Sequence, residues 1–143
     1  MRQPESDEFT WIQLAGDKSS LPGFQEFILE QAEKLEIEPA VIGKIELILE
    51  EVLLNIINYA YTESQAGTIR AGCALFDRNR FVIRIIDQGK PFDPSSSPDP
   101  DTTLSIEERG IGGLGIYLVH QLSDKVSYQR VDGQNILDIT FKT

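Results

Sequence analysis

The chain has 143 residues, 41% of them hydrophobic and 25% charged, which supports one folded domain over residues 1–143 and excludes a disordered chain or two full-sized domains. Thirteen basic residues against 23 acidic ones leave a formal net charge of −10, so no basic field draws nucleic-acid phosphates from a distance and no direct nucleic-acid partner is expected. The single cysteine and single histidine exclude a disulfide framework and a cysteine- or histidine-built zinc site.

The opening stretch Met1–Glu8 has no apolar signal segment, and no run approaches the roughly 20 apolar residues of a membrane helix. A cytoplasmic protein with no membrane partner is expected. Phe9 to Ala15 is rich in β formers and reads as a first strand. Ser19-Ser20-Leu21-Pro22 starts a helix, and Phe24, Phe27, Ile28, Ala32 and Leu35 carry its apolar stripe to about Leu35. A second helix is predicted from about Pro39 to Tyr61, apolar nearly all round and therefore central.

Thr68–Phe76, Arg80–Ile86, Lys125–Val131 and Asn135–Lys142 read as strands, and Asp132-Gly133 marks a hairpin between the last two. Between Pro91 and Gly113 the chain is rich in Pro, Ser, Asp, Thr and Gly with little periodicity, as in a functional lid or a mobile loop. A helix then begins near Gly113 and includes Ile116, Tyr117, Val119, His120 and Leu122. The order β-α-α-β-β-loop-α-β-β predicts an α+β fold, with a mixed, mainly antiparallel sheet covered by helices on one face.

Three segments carry candidate chemistry. On the second helix Lys44, Glu51, Asn55 and Asn58 project within roughly 60° of one another. Such a stripe reads either as a solvated face or as a metal-binding carboxamide at Asn55, with a general base at Glu51 one turn earlier. Asp87-Gln-Gly89 follows a strand: an acidic side chain there accepts from an exocyclic amine, and a glycine lets backbone approach a flat ring. The plain alternative is a turn. The third segment, Gly110-Ile-Gly112-Gly113-Leu114-Gly115, exposes N–H groups at a helix start, as a phosphate cradle does, and Arg109 stands beside it. Its alternatives are a hinge or a dinucleotide-binding turn, but the latter belongs after a first strand, in a parallel unit.

Taken together, Glu51-x-x-x-Asn55, Asp87-x-Gly89-x-Pro-Phe92-Asp93-Pro94 and the glycine run to Gly115 stand in an order that resembles the GHKL (Bergerat-fold, histidine-kinase-like) ATPase superfamily. Within it the chain is similar to the anti-sigma-factor serine/threonine kinases of the RsbW and SpoIIAB type, from the first strand to Lys142. The resemblance implies a Bergerat-type sandwich with about three helices on one face of the sheet and an ATP lid over about 95–112. It implies ATP and Mg²⁺ as cofactors, with Asn55 on the metal and Asp87 on the adenine amine. Gly89 lies beneath the ring, and Asn58 and Phe92 join the pocket. Gly110, Gly112, Gly113, Leu114 and Gly115 line the phosphates, Arg109 reaches the γ-phosphate or an acceptor partner, and Thr140 supports the pocket beside Asp87.

In kinase members Glu51 is the general base on a Ser or Thr of a small antagonist (anti-anti-sigma-like) protein, and a sigma factor is the second partner. Homodimers occur in such proteins, and the first strand offers a docking edge. One departure stands out: members often carry a basic residue where this chain has Tyr59. The leading reading is a kinase, the alternative is a non-catalytic ATP-dependent binding module, and an ATPase using water comes third.

Overall fold

The computed structural model describes residues 8–61, 67–93 and 113–143. In chain order its elements are β1 (Thr10–Ala15), α1 (Leu21–Lys34), α2 (Pro39–Asn55), β2 (Thr68–Phe76), β3 (Arg80–Asp87), α3 (Gly113–Leu122), β4 (Lys125–Val131) and β5 (Gln134–Lys142). The strands form one sheet in the order β1-β2-β3-β5-β4. The fold is α+β as expected, but each described pairing is antiparallel, so the sheet is not mixed. Local chemistry explains the β4–β5 pairing. Asp132 and Gly133 take positive φ of 50° and 77°, the pair of left-handed residues that turns β4 tightly into β5.

Period-two alternation divides the sheet into two faces. Leu137, Ile139 and Phe141 of β5 and Phe81, Ile83 and Ile85 of β3 point inward. Against them pack Phe24, Ile28 and Ala32 of α1, Ile45, Leu49 and Val52 of α2, and Val119 of α3. All three helices therefore cover one face. Each fully buried Ile, Leu or Phe contributes about 1.5–3 kcal/mol relative to exposure, more than the roughly 1 kcal/mol that Gly43 costs inside α2. Packing, not propensity, holds that helix. No helix among the described residues is long and apolar enough to cross a membrane.

Two expectations for α2 change. It is not apolar all round in its setting, since Leu47 is 40% exposed while Ile48 and Leu49 are buried; only one side meets the sheet. It also stops being α-helical at Asn55, and Ile56–Ala60 forms a wider π-helical turn before Tyr61. Through that turn Ile56 and Ala60 both stay buried, while Asn58 and Tyr59 face out.

The opposite face of the sheet holds a smaller cluster of Phe9, Ala74, Phe76 and Val82 with Trp11 against it. Arginines cover these rings: Arg70 over Trp11 at 4.5 Å, Arg84 over Phe9 at 4.9 Å and Arg80 over Phe76 at 5.4 Å. Arg84 also grips Asp138 with two bonds of 2.7 and 2.8 Å. The two sheet edges are β1 and β4.

Candidate functional site

β3 delivers Asp87 to the end of α2, where its side chain is 2% exposed. Its Oδ1 accepts from the Gly89 amide at 2.9 Å and from Asn135 Nδ2 at 2.8 Å. The residues after it are clasped by the end of the helical segment. The Lys90 amide donates to the Ala60 carbonyl at 3.0 Å. The Gln88 amide donates to the Tyr61 hydroxyl at 2.9 Å, which in turn donates to the Thr68 carbonyl at 2.6 Å. A Cβ on Gly89 would stand 2.3 Å from the Ala60 oxygen. Glycine is thus demanded here by the protein's own backbone, a reason beyond the expected approach of a flat ring.

Burial pushes the Asp87 carboxyl above its ordinary value, and the Asn135 and Gly89 hydrogen bonds and the Arg130 charge offset part of this. The same burial raises the Tyr61 hydroxyl; the Gln88 bond pulls it down and the Asp87 charge pushes it further up.

Asn135 stands directly opposite Asp87 in the sheet. Its Oδ1 accepts from the Tyr128 hydroxyl at 2.5 Å, Arg130 Nη1 at 3.1 Å and the Phe92 amide at 3.3 Å. Its Nδ2 also donates to the Lys90 carbonyl at 2.9 Å, and Arg130 Nη1 reaches the Gly89 carbonyl at 2.7 Å. The expectation for Thr140 is corrected by this register. Thr140 lies opposite Val82 and Lys125, five positions along β5, roughly 17 Å at about 3.4 Å per residue. An odd offset also puts it on the other face. Asn135 holds the place assigned to it. The pairing of β3 with β5 across a long connection is what the sequence did not display.

On α2 the polar stripe runs from solvent into the interior. Lys44 is exposed, Glu51 half-buried and Asn55 only 2% exposed, while Asn58 is exposed again. A solvated face does not account for Asn55. Its amide nitrogen is buried and has no hydrogen-bond partner among the described residues, an arrangement that costs free energy. The half-buried Phe92 packs against the core, and its ring centroid is 5.7 Å from that of Tyr59. Gly113, Leu114 and Gly115 open α3, which packs on α2. Arg109, Gly110 and Gly112 lie outside the described residues.

The structure therefore gathers Asp87, Gly89 and Phe92 with Asn135, Arg130 and Tyr61 around one loop. It connects them through the π turn to Asn55 and Glu51. Tyr61, Tyr128, Arg130 and Asn135 were not expected. Tyr61 closes the helix motif and Asn135 follows the hairpin turn, but neither bears a pattern of its own. No cluster of three or more His, Cys, Asp or Glu suited to a metal occurs among the described residues. Cys73 is buried, and burial pushes its thiol up to about 12, so it is no nucleophile.

A family profile described as "Histidine kinase-like ATPase domain" matches residues 14–141. Among curated proteins, the serine/threonine-protein kinase BtrW of Bordetella bronchiseptica is 31% identical over 94 residues, 66% of this chain and 66% of that protein. The serine-protein kinase RsbW of Halalkalibacterium halodurans is 30% identical over 96 residues, 64% of this chain and 57% of that one. The chain thus spans under two thirds of the length of these relatives. Among solved structures, a chain of the SiaB-SiaC complex from Pseudomonas aeruginosa superposes with a TM-score of 0.59 at 12% identity, covering 95% of this chain and 91% of that one. At that identity the likeness is one of fold.

Proposed function

The chain belongs to the histidine kinase-like ATPase domain family, and on that footing we propose that residues 1–143 act as one domain that binds Mg-ATP and phosphorylates a Ser or Thr of a small antagonist protein. The distant kinship to RsbW, named a serine-protein kinase, and BtrW, named a serine/threonine-protein kinase, supports a sigma factor or similar regulator as the second partner.

The reading rests on Asn55, whose buried amide nitrogen has no partner among the described residues, one helical turn after Glu51. The donor set suits Mg²⁺. A carboxamide offers Oδ1 to a hard cation and Nδ2 to a phosphate oxygen, and Mg²⁺ takes few protein ligands when the nucleotide supplies the rest. When bound, the ion neutralises phosphate charge during transfer. Asp87 accepts from the adenine amine, and Gly113 and Gly115 give the start of α3 to the phosphates. Glu51 receives the proton of the acceptor hydroxyl as its oxygen attacks the γ-phosphorus, and ADP departs with the electrons of the broken P–O bond.

Incubation with Mg-ATP and the antagonist tests this: phosphate transfer is expected from the wild type and not from Glu51→Ala. Equal results from the two proteins would reject the kinase. A second reading, a binding module that uses ATP without transferring phosphate, is favoured by Tyr59, which stands against Phe92 where related proteins often carry a cation. It predicts partner binding that survives Glu51→Ala and fails with Asp87→Asn.

A further inference from the structure

We infer that the β4–β5 hairpin, through Asn135 and Arg130, fixes Asp87 as a hydrogen-bond acceptor and thereby makes the site select adenine over guanine nucleotides. This rests on the reading that Asp87 meets a nucleotide base.

The orientation of the Asn135 amide is forced by its surroundings. Three donors, from Tyr128, Arg130 and the Phe92 backbone, converge on one end, and two acceptors, from Asp87 and the Lys90 backbone, on the other. A flipped amide would oppose donor to donor at Arg130 and the Phe92 amide and acceptor to acceptor at Asp87 and the Lys90 carbonyl, four of the five contacts, since only the Tyr128 hydroxyl can either donate or accept. Nδ2 must therefore face Asp87. Together with the Gly89 amide it occupies Oδ1, and no donor among the described residues is bonded to Oδ2. That oxygen is the acceptor left for a ligand. An adenine 6-amino group satisfies it, whereas guanine in the same pose presents a carbonyl, setting acceptor against acceptor. Only a protonated Asp87 would donate to that carbonyl. Base choice thus follows the charge on Asp87.

Groups from every side set that charge. From β4, the positive Arg130 guanidinium favours the ionised form. The Asn135 and Gly89 N–H groups favour it too and burial opposes it; the hydroxyl of Tyr61, at the helix end, is pushed up by burial and faces the same carboxyl, and the Tyr128 hydroxyl, on β4, is bonded to Asn135. Arg130 acts twice, since it also holds the Gly89 carbonyl at 2.7 Å. Asn135 and Arg130 are positioning residues, reaching the base through Asp87.

The test uses the full chain as wild type, Asn135→Ala, Arg130→Gln and Arg130→Lys. Carbon-13 NMR follows the Asp87 carboxyl without nucleotide, and calorimetry measures ATP and GTP binding between about pH 5 and 8. In Asn135→Ala and Arg130→Gln the carboxyl should titrate higher than in the wild type. ATP affinity should fall about tenfold, the loss expected for a charge-assisted hydrogen bond, with GTP little changed, so that selectivity narrows. Arg130→Lys keeps the charge and should leave the carboxyl near its wild-type titration, a comparison that stands even where Asn135→Ala fails to fold. Variants that match the wild type in both titration and ATP-to-GTP ratio would overturn the hairpin's role while leaving ATP binding intact. A wild type that binds neither nucleotide removes the selectivity claim and the nucleotide reading together.

Discussion

The loop at Asp87 and the helix end at Asn55 treat buried polar groups in opposite ways. Asp87 is 2% exposed and lies in a network of side-chain and backbone bonds spanning β3, β4, β5 and the end of the helical segment. Asn55 is equally buried, yet its amide nitrogen has no described partner. A buried donor left unmet costs about 1–3 kcal/mol, so one end of the candidate site is finished by folding and the other waits on what binds. In the proposed function the first is the base end, organised in advance, and the second the phosphate end, organised by its ligand.

Substitutions test that contrast. The largest effect is expected at Gly89→Ala, where a methyl group meets the Ala60 carbonyl. Overpacking against backbone should lower stability by about 1–3 kcal/mol in urea unfolding and abolish ATP binding. A variant as stable as the wild type would mean the clasp is loose. Next, Asn55→Leu removes the unmet amide while keeping its branched four-atom outline. Stability without nucleotide should hold or rise by about 1 kcal/mol, while Mg²⁺-dependent ATP affinity, measured by calorimetry, falls at least tenfold. Lower stability would show that Asn55 was already satisfied.

Acid should act on the two properties in opposite directions. The folded-state Asp87 carboxyl lies above its unfolded value because of burial. Its contribution to stability is therefore present below the unfolded value and lost as pH rises through the folded one. ATP binding needs the ionised form and weakens as pH falls through that same raised value. Asp87→Asn should remove this carboxyl's share of the pH dependence of stability, with stability at neutral pH maintained or improved, and should bind ATP poorly at every pH; thermal melts and binding isotherms across pH report it. The smallest effect is expected at Gly43→Ala, on the exposed side of α2 with no heavy atom within 4 Å of a new Cβ. It should add about 0.5–1 kcal/mol and leave ATP affinity untouched. An altered affinity would tie the helix's stability to the site.

The residue pattern disclosed the order of elements, because alternation in β5 and the Asp132-Gly133 turn are local signals. It also drew attention to the loop at Asp87 and Gly89, since both sit in one short motif. It did not disclose the hydrogen-bonded wall behind them. Asn135 meets Asp87 only because β5 pairs with β3 across a connection of more than forty residues, and register between distant strands leaves no mark in either strand alone. The same ignorance of register put Thr140 at the pocket in place of Asn135. The end of α2 was missed for a different reason: Val52 to Ile57 is apolar enough to continue any helix, and nothing in its composition announces a wider turn.

That turn sets the rotational phase between two halves of the protein. Ile56–Ala60 places Asn55 inward and, a few residues later, aims Tyr61 at Gln88 and Thr68. Removing one residue would let an ordinary helix form but swing every later side chain by about 100°, carrying the tyrosine off its two backbone partners. Single replacements in 56–60 should be far better tolerated than any change in its length, and a shortened variant would keep its helix while losing the clasp on the Asp87 loop.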